Sequence, residues 1–405
     1  MARSLRILLS EGASTSAREA VTALGLAGHH IEVMDPDLHC ICRFSRFVAQ
    51  LHRCPPLSTE PHAYLAFALE VLRQRRIDVL LPIHEQGLIF ARAAHLLPTR
   101  VGVALPSFEA YETGLDKGKF YTLLDTLGVP QPKTHFIDGP ESIPDTGFPY
   151  VLKRPVSTAS RGVHMVRTAE DAAEARAAEL GTPGMLLVQD LVDAPLEHAQ
   201  GVFDRGRFVG MHFYRQIVRG AGGGEAIKES VHRPQVRAEL EKVARHLDWH
   251  GALSVDYLLK EDVPYFMDCN PRLVEPMSAH FAGLDLVGLL LAVSLGEHPP
   301  EAPPSRAGVR TRLSLQALLG IAMKTRSRIE IVREIYRFLT GTGPYAGTRE
   351  ELTPVRIDWK SFAPVAATAT AVLAHPGSAE LLPKLGWGGG LLTPEAVRII
   401  REEIG

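Results

Sequence analysis

The sequence contains little cysteine, which limits both its covalent cross-links and its metal chemistry. The four cysteines among the 405 residues are Cys40, Cys42, Cys54 and Cys269. They are too few and too unevenly spaced for a disulfide framework in a chain of this length. The C-x-C pair followed by a third cysteine also departs from the usual spacing of zinc ligands. We therefore expect a protein of a reducing compartment, the cytoplasm.

Neither an excess of one charge nor a long hydrophobic run is present. Lys and Arg number 44 against 46 Asp and Glu, a formal net charge of -2, so no overall field favours nucleic acid or an anionic membrane. The most apolar late segment, Phe362 to Ala374, is well short of the ~20 residues that a transmembrane helix needs. Residues 1–9 contain two arginines and lack the apolar core of a signal peptide. We expect no membrane span and no nucleic-acid partner, and any anion site must be local.

The glycine-rich fingerprint of dinucleotide-binding enzymes is also missing. A strand is predicted over Leu5 to Leu9, a helix over Ser14 to Leu26 and a second strand over Ile31 to Met34, which together make a βαβ unit. A nicotinamide dehydrogenase would place G-x-G-x-x-G after the first strand, whereas residues 10–16 contain a single glycine. The pattern excludes that class of enzyme and predicts a Rossmann-like lobe with another role.

Two candidate ligand contacts follow a later strand of this lobe, predicted over Asp78 to Pro82. In an open α/β sheet, residues just beyond the carboxyl ends of the strands line the ligand crevice. His84 and Glu85 occupy that position, so they are candidate substrate contacts. A glutamate there can equally serve to stabilise the N-terminus of the next helix, and the sequence leaves both interpretations open.

The most informative stretch is residues 251–272, which predicts a β-hairpin. Apolar and polar residues alternate on both sides of a polar turn at residues 260–262. A turn centred near residue 262 places Asp256 opposite Asp268 and Ser254 opposite Asn270. The other face then carries an apolar set suited to a core, made up of Val255, Tyr257, Leu259, Tyr265 and Met267.

Two carboxylates directly across a ladder repel each other unless a positive charge lies between them. A metal ion would remove that repulsion. Oxygen ligands without His or Cys suit Mg²⁺, which takes one or two protein carboxylates and completes its shell with water and phosphate oxygens. The predicted pair of Asp256 and Asp268 therefore indicates a magnesium–nucleotide site. A solvated, purely structural role for each aspartate is the alternative.

The end of this hairpin, Asp268-Cys-Asn-Pro-Arg272, resembles the E-x-N-P-R signature of the ATP-grasp superfamily, in particular its carbamoyl-phosphate-synthase-like branch. The sequence departs from the signature in having Asp268 in place of the usual glutamate. The resemblance implies ATP as cofactor with Mg²⁺ (or Mn²⁺), and Asp256, Asp268 and Asn270 as metal ligands. It also implies that Arg272 steadies an acyl phosphate.

Two upstream segments extend the resemblance to the phosphate end of the nucleotide site. Residues 116–132 resemble the helix that opens ATP-grasp modules, in which Lys117 takes the place of the basic residue that reaches the phosphates. Residues 148–166 resemble a strand ending in a phosphate-binding lysine, here Lys153, followed by a phosphate loop. That loop contains Ser160 and Gly162 among other small residues where the family has more glycines.

A third segment resembles the part of the family's fold that binds adenine and ribose. Residues 186–192 read as an apolar strand, which implies adenine contacts from Gln189, Asp190 and Val192. A carboxylate a few residues later contacts the ribose in the family, and Glu197 fits that spacing.

Residues 215–228 form a basic, glycine-rich segment without periodicity, and we expect a mobile loop there. Arg219 and Lys228 are candidate catalytic residues that would contact an acyl phosphate or an anionic substrate. Solvated surface cations are an equally weighted alternative.

The expected fold is α/β, an α+β ATP-grasp fold in three parts. Residues 1–112 form the Rossmann-like lobe that precedes the module. Residues 113–298 form the ATP-grasp domain of two α+β subdomains, with a lid over about 148–188 and two helices broken at Gly283. Residues 299–405 are a mainly helical extension, for which a cap over the active site, a homodimer contact or a surface for another partner are open roles.

The resemblance implies an ATP-dependent carboxylate-amine ligase. Such an enzyme forms an amide or peptide bond through an acyl phosphate and releases ADP and phosphate, and its partners are a small carboxylate and an amine. A carboxyphosphate-forming enzyme that acts on bicarbonate ranks second, since only one ATP-grasp unit is present. A non-catalytic ATP-binding regulator is the third hypothesis.

Overall fold

A computed structural model describes residues 4–155, 162–181, 184–382 and 391–404. Its strands are β1 (Arg6–Leu9), β2 (His30–Asp35), β3 (Val48–Arg53), β4 (Val79–Leu81), β5 (Thr134–Ile137), β6 (Tyr150–Lys153), β7 (Val163–Val166), β8 (Leu186–Asp190), β9 (Leu196–Asp204), β10 (Arg207–Arg219), β11 (Glu225–Val231), β12 (Gly251–Lys260), β13 (Val263–Asn270), β14 (Arg310–Arg312) and β15 (Arg349–Glu350). Its α-helices are α1 (Thr15–Leu26), α2 (Pro61–Gln74), α3 (Gly87–Arg92), α4 (Phe108–Leu115), α5 (Lys117–Leu127), α6 (Ala169–Glu179), α7 (Pro234–His246), α8 (Met277–Phe281), α9 (Leu286–Ser294), α10 (Ser314–Thr325), α11 (Arg328–Thr340), α12 (Phe362–Ala374) and α13 (Pro394–Glu402).

The N-terminal lobe is a four-stranded parallel sheet in the order β3-β2-β1-β4. The predicted βαβ unit is confirmed, and β3 is an additional strand that the sequence pattern did not indicate. Helix α1 and the later helix α9 both contribute to the hydrophobic core on one side of this sheet. The lobe is therefore packed against the rest of the molecule through its own core, and the carboxyl ends of β1 and β4 face the same edge.

A second, seven-stranded sheet has the order β13-β12-β9-β10-β11-β14-β15. All its neighbours are antiparallel except β14 and β15, which run parallel. Helix α7 and helix α5 pack against one face, over a core that includes the fully buried Trp249. Strands β14 and β15 come from the segment that the sequence assigned to a separate extension, so this part of the chain completes the sheet.

The segment predicted as a lid, about residues 148–188, contributes β6, β7 and most of β8 to a third sheet of four antiparallel strands in the order β5-β8-β6-β7, called the lid sheet below, and β5 joins it from outside that segment. Helix α6 packs on it through Ala172 and Ala175. A capping box between Thr168 and Asp171 fixes the start of α6. Strands β6 and β8 run antiparallel, so Lys153 at the end of β6 lies opposite Leu187, near the start of β8.

The cross-strand pairs predicted for the hairpin of β12 and β13 are confirmed. Asp256 lies opposite Asp268, and Ser254 lies opposite Asn270. The turn adopts positive φ at residues 261 and 262. Next to the turn, Lys260 pairs with Val263, which is one residue out of the register of the two aspartates, so their pairing also depends on a β-bulge.

A β-bulge after Asp256 changes the faces of the rest of this hairpin. Tyr257 pairs with Phe266 rather than with Met267, because one extra residue is accommodated on β13. The core residues of β13 are therefore Phe266 and Cys269, which are both buried. The prediction that Tyr265 and Met267 face the core is wrong, and both are only half-buried.

The expected mobile loop over residues 215–228 is a hairpin of β10 and β11, whose register shifts twice between Gln216 and Arg219. A short 3-10 turn at residues 221–223 joins the strands, and Gly222 and Gly223 take positive φ there. This turn packs against α10, with Gln316 in contact with Gly220. The glycines serve a tight turn and a close helix contact rather than mobility, so the prediction of a mobile loop is wrong.

The C-terminal part is mainly helical. Helices α10, α11 and α12 pack against one another, while α13 packs on the N-terminal lobe through Val397 and Ile400. Over the part of the chain that the structure describes, no helix combines the length and the apolar character needed to cross a bilayer.

Candidate active site

The predicted metal ligands Asp256 and Asp268 form a cross-strand pair at the surface of the seven-stranded sheet. Their side chains are 29% and 34% exposed, so both carboxylates are accessible to a ligand. Two cations offset their mutual repulsion. Lys117 Nζ lies 3.1 Å from Oδ1 of Asp268, and His198 Nδ1 lies 2.8 Å from Oδ1 of Asp256.

Lys117 reaches this pair because of how α5 begins. The Asp116 side chain accepts hydrogen bonds from the backbone N–H groups of Gly118 and Lys119 and so caps the helix. Lys117 is the first helical residue and is itself buried. The predicted cap thus fixes the lysine beside the acidic pair.

Lys153 enters the same site from the end of β6. Its Nζ donates a 2.6 Å hydrogen bond to the hydroxyl of Tyr121, and that hydroxyl donates to the backbone carbonyl of Met267. Burial lowers the pKa of Lys153 to about 8, an effect that the positive charge of Lys117 reinforces and Asp268 opposes. The site thus has two buried lysines, and one of them changes charge near neutral pH.

The predicted adenine strand lies next to Lys153 in the lid sheet. Gln189 is buried, and its amide donates to Thr134 Oγ1 at 2.8 Å. Asp190 is exposed, with its backbone N–H bonded to the carbonyl of Lys133, and Val192 is half-buried. These positions leave the end of β8 accessible beside the lysines.

His198 was not singled out in the sequence, yet it links the metal pair to the interior of the sheet. Its Nε2 lies 2.7 Å from a carboxylate oxygen of Glu225, and its ring stacks on Tyr214 with centroids 4.8 Å apart. Burial favours the neutral ring, but the carboxylates of Asp256 and Glu225 raise the pKa of His198 to about 10. The imidazolium therefore stays charged and holds Asp256 in place.

Arg272 lies between the acidic hairpin and the carboxyl ends of β1 and β4. Its guanidinium donates to Oδ1 of Asn270 and, over 3.1 Å, approaches Nε2 of His84. Burial and the charge of Arg272 hold the pKa of His84 well below its usual range, so the neutral ring accepts this hydrogen bond. Glu11, just after β1, is also buried, and burial raises the pKa of its carboxyl, against hydrogen bonds from Ser14 and the charge of Arg272.

Glu85 makes a contact with the C-terminal segment. It is buried, and its carboxylate accepts a 2.6 Å hydrogen bond from the backbone N–H of Leu392, just before α13. The structure thus brings His84 to the site and gives Glu85 a contact with the C-terminal segment.

Lys228 is completely buried rather than displayed on a loop. Its ammonium contacts Glu275 and lies 2.9 Å from Glu351, which belongs to the C-terminal part. Glu19 of α1 lies in the same cluster. Burial raises the pKa of Glu351 to about 7, with Lys228 acting against the rise.

Four other predicted residues lie away from this group, beside a gap in the described chain or outside the described residues. Glu197 is on the opposite face of the sheet, where it pairs with Arg233 at 2.6 Å and accepts a hydrogen bond from Tyr257. Arg219 is exposed at the end of β10. Ser160 lies outside the described residues, and Gly162 follows that gap with φ of 67°.

Several residues of the site had weak or no signals in the sequence. Tyr121 could have been found, because it lies four residues after Lys117 on the same helix face. His198 could not, since its contact with Asp256 depends on the pairing of β9 with β12. Glu351 is 123 residues from its partner Lys228, and no local pattern connects them.

A divalent cation fits the acidic pair by the chemistry of its donors. Asp256 and Asp268 offer accessible carboxylate oxygens on adjacent strands, which are the ligands that Mg²⁺ prefers. The side-chain oxygen of Asn270 is already bound by Arg272, so the two aspartates are the stronger candidates.

Comparison with known proteins agrees with this arrangement. Residues 115–276 match the sequence profile of the ATP-grasp domain family. These residues form an ATP-grasp domain. The ATP-grasp domain contains both lysines, both aspartates, Asn270 and Arg272, whereas His84 and Glu351 are contributed by the rest of the chain.

Individual relatives of the ATP-grasp domain are distant. The carbamoyl phosphate synthase large chain of Thermoanaerobacter pseudethanolicus is 22% identical over 219 residues, which are 50% of this chain and 20% of that protein. This chain thus spans only about a fifth of that relative.

Two solved structures share the fold over most of the chain. The biotin carboxylase of Campylobacter jejuni superposes with a TM-score of 0.61 at 19% identity, over 76% of this chain and 74% of that one. The L-amino acid ligase of Bacillus licheniformis superposes with a TM-score of 0.58 at 15% identity, over 74% and 76%. At these identities the likeness is one of fold, and it extends beyond the ATP-grasp domain.

Proposed function

We propose that this protein is an ATP-dependent ligase that joins a carboxylate to an amine and releases ADP and phosphate. The observation that carries the proposal is the placement of Lys117 at the pair of Asp256 and Asp268, with Lys153 held through Tyr121 and Arg272 bound to Asn270 at the end of the same hairpin. Phosphoryl transfer to a carboxylate requires cations that bind the phosphates and oxygen ligands that bind a metal ion. It also requires a positive group, here an arginine, beside the carboxylate. The ATP-grasp domain supports the same assignment.

The nucleotide end of the site is assigned to the lid sheet and α5. Lys117 and Lys153 act as point charges for the phosphates of ATP, and Gln189, Asp190 and Val192 lie where the adenine would bind. The phosphate loop, with Ser160 and Gly162, is proposed to cover them. Glu197 is left out of the nucleotide site, because its ion pair with Arg233 holds it on the other face of the sheet.

Asp256 and Asp268 would hold Mg²⁺ (or Mn²⁺), which neutralises the charge that develops on the phosphates during transfer. His198 keeps Asp256 fixed by a charge-assisted hydrogen bond. Lys117 does the same for Asp268 from the start of α5. Asn270 acts here by orienting Arg272.

The carboxylate end of the site is formed around Arg272. An oxygen of the carboxylate substrate attacks the γ-phosphorus of ATP, the bond to the bridging oxygen breaks, and ADP leaves. The amine nitrogen then attacks the acyl carbon, the carbon–oxygen bond to phosphate breaks, and the nitrogen loses a proton. Arg272 stabilises the anionic acyl phosphate, while neutral His84 orients the guanidinium.

Lys228 is proposed to act by position rather than by contact with substrate. It is sealed from solvent and holds Glu275, three residues after Arg272. Arg219 is exposed at the edge of the sheet, and we assign it no step. The division into residues 1–112, 113–298 and 299–405 is kept as a proposal for the chain, although β14 and β15 complete the central sheet.

The match to carbamoyl phosphate synthase favours a second candidate, in which bicarbonate takes the place of the carboxylate substrate. Carboxyphosphate would then form at Arg272 by the same transfer. The two candidates differ in the acceptor of the phosphoryl group and share the nucleotide site.

The test is ADP release in bicarbonate-depleted buffer, with amino acids and small acids supplied singly and in pairs with amines. Release that needs both an acid and an amine is the expected result. Release with bicarbonate alone would instead establish the second candidate. If ATP raises the melting temperature yet no acid, amine or bicarbonate gives ADP, the ligase is excluded and a non-catalytic ATP-binding regulator is favoured.

A further inference from the structure

Helix α11 carries a stripe of apolar side chains that face solvent. The stripe consists of Ile329, Val332, Tyr336 and Leu339, which are 71%, 54%, 63% and 73% exposed. At 100° per residue these four positions fall within an arc of about 80°. The opposite side of the helix is buried through Ile331 and Phe338. The helix therefore has two apolar faces, and only one is covered by the described chain.

The stripe is a fixed feature of a well-formed helix. Ser327 caps the N-terminus through the backbone N–H of Glu330, and Gly341 ends the helix in the left-handed conformation. The four exposed side chains present on the order of 500 Å² of apolar surface, which is at the upper end of the patches that monomers tolerate. Such a surface indicates a protein contact.

The spacing of the stripe is self-complementary. The intervals between its members are three, four and three residues, the heptad spacing of a two-helix seam. This order reads the same in both directions. A two-fold axis midway between Val332 and Tyr336 places Ile329 against Leu339 of the partner subunit and Val332 against Tyr336 of the partner subunit, and repeats both contacts by symmetry.

The charges of α11 lie away from the stripe. At 100° per residue, Glu330 and Arg337 lie about 120° to 140° from its centre. Within one chain Glu330 contacts Arg333, and Arg337 lies 3.5 Å from Glu334. An antiparallel pair of stripes leaves these intrachain pairs intact.

We propose that α11 is the interface of a homodimer in which the two helices pack antiparallel. Two stripes would together bury on the order of 1,000 Å², the lower limit of specific interfaces. The dimer is accordingly reversible, with a dissociation constant in the roughly micromolar range or weaker. This assembly is independent of the chemistry proposed for the active site.

The first test is sedimentation equilibrium of the full chain over a 100-fold range of concentration. Wild-type protein should pass from one chain to two, whereas Tyr336→Glu should stay at one chain throughout. Leu180→Glu is the matched control, because Leu180 is 57% exposed at the end of α6, away from α11. A wild-type mass of one chain at every concentration, or equal dimerisation of Tyr336→Glu, would overturn the proposal.

A second test reads the orientation of the helices. In the double variant Val332→Cys/Tyr336→Cys, mild oxidation should link position 332 to position 336 of the partner subunit. The four native cysteines are buried, so the new thiols dominate the product. Links only between like positions would show a parallel pair and overturn the antiparallel arrangement.

Discussion

Replacing Lys228 by methionine removes the only cation that contacts two buried carboxylates in the described structure. Lys228 and Glu351 are fully buried, and Glu275 is nearly so. Methionine has similar length and fits the space without a charge. The variant therefore isolates the electrostatic role of the ammonium from its volume.

The magnitude follows from leaving buried charges unpaired. Removing one partner of a buried ion pair costs about 3 to 5 kcal/mol. Part of this cost can be avoided by protonation, because the pKa of Glu351 is already about 7. The pKa of Glu19 in the same cluster is also raised well above its usual value, by burial first and by the neighbouring carboxylates second.

The sign of the pH dependence follows from these directions. A carboxyl whose pKa is raised in the folded state stabilises the protein below its unfolded pKa, and that stability is lost as pH rises through the folded pKa. Without Lys228 the folded pKa of Glu351 rises further. The loss caused by the substitution should therefore grow from pH 6 to pH 8, by up to about 1.4 kcal/mol per pH unit for each carboxyl.

The assay is chemical denaturation of both proteins at pH 6, 7 and 8. Arg310→Met is the control, because Arg310 pairs with Glu229 at 2.6 Å but is 48% exposed, and surface pairs contribute about 1 kcal/mol or less. Adding Glu351→Gln to the Lys228 variant should recover part of the loss. A loss below ~1 kcal/mol that does not change with pH would refute the reasoning.

Three further outcomes concern the nucleotide site. Asp268→Asn should lower ADP release by on the order of 100-fold while the melting temperature stays near wild type, since charge on the metal is lost and no core packing changes. In wild-type protein the ATP-induced rise in melting temperature should shrink as pH increases past about 8, whereas Lys153→Arg should keep its response, because arginine stays charged. Tyr121→Phe should remove the hydroxyl that positions Lys153, costing about 1 kcal/mol of stability and weakening ATP binding several-fold in a thermal-shift titration.

Local features of this protein were predictable from the sequence. The cap at Asp116 placed Lys117 at the first turn of α5. The alternation of residues placed Asp256 and Asp268 on the paired strands of one hairpin, and the β-bulge after Asp256 brings the two opposite each other. Both depend on residues within one element or one hairpin, where propensity and alternation decide the geometry. The same applies to the break at Gly283 between α8 and α9, where φ is 91°.

Features that depend on strand order were decided only by the tertiary structure. His198 meets Asp256 because β9 pairs with β12, and the same register turns Glu197 to the other face. Successive side chains of a strand point to opposite faces of the sheet. His198 therefore contacts the acidic pair, whereas its neighbour Glu197 pairs with Arg233 on the other face. The glycines of residues 220–224 suggested a mobile loop. The sequence did not reveal that they pack against α10, because that helix lies nearly a hundred residues later in the chain.

By itself the sequence determined the ATP-grasp domain and the position of its lysines and aspartates along the chain, since short-range pattern and spacing encode them. Only the tertiary structure decided that Lys228 is sealed by Glu275 and Glu351, and that Arg272 faces His84. These contacts join segments 47, 123 and 188 residues apart. Burial and charge pairing at such separations depend on how whole sheets pack, and no local preference of the chain specifies that.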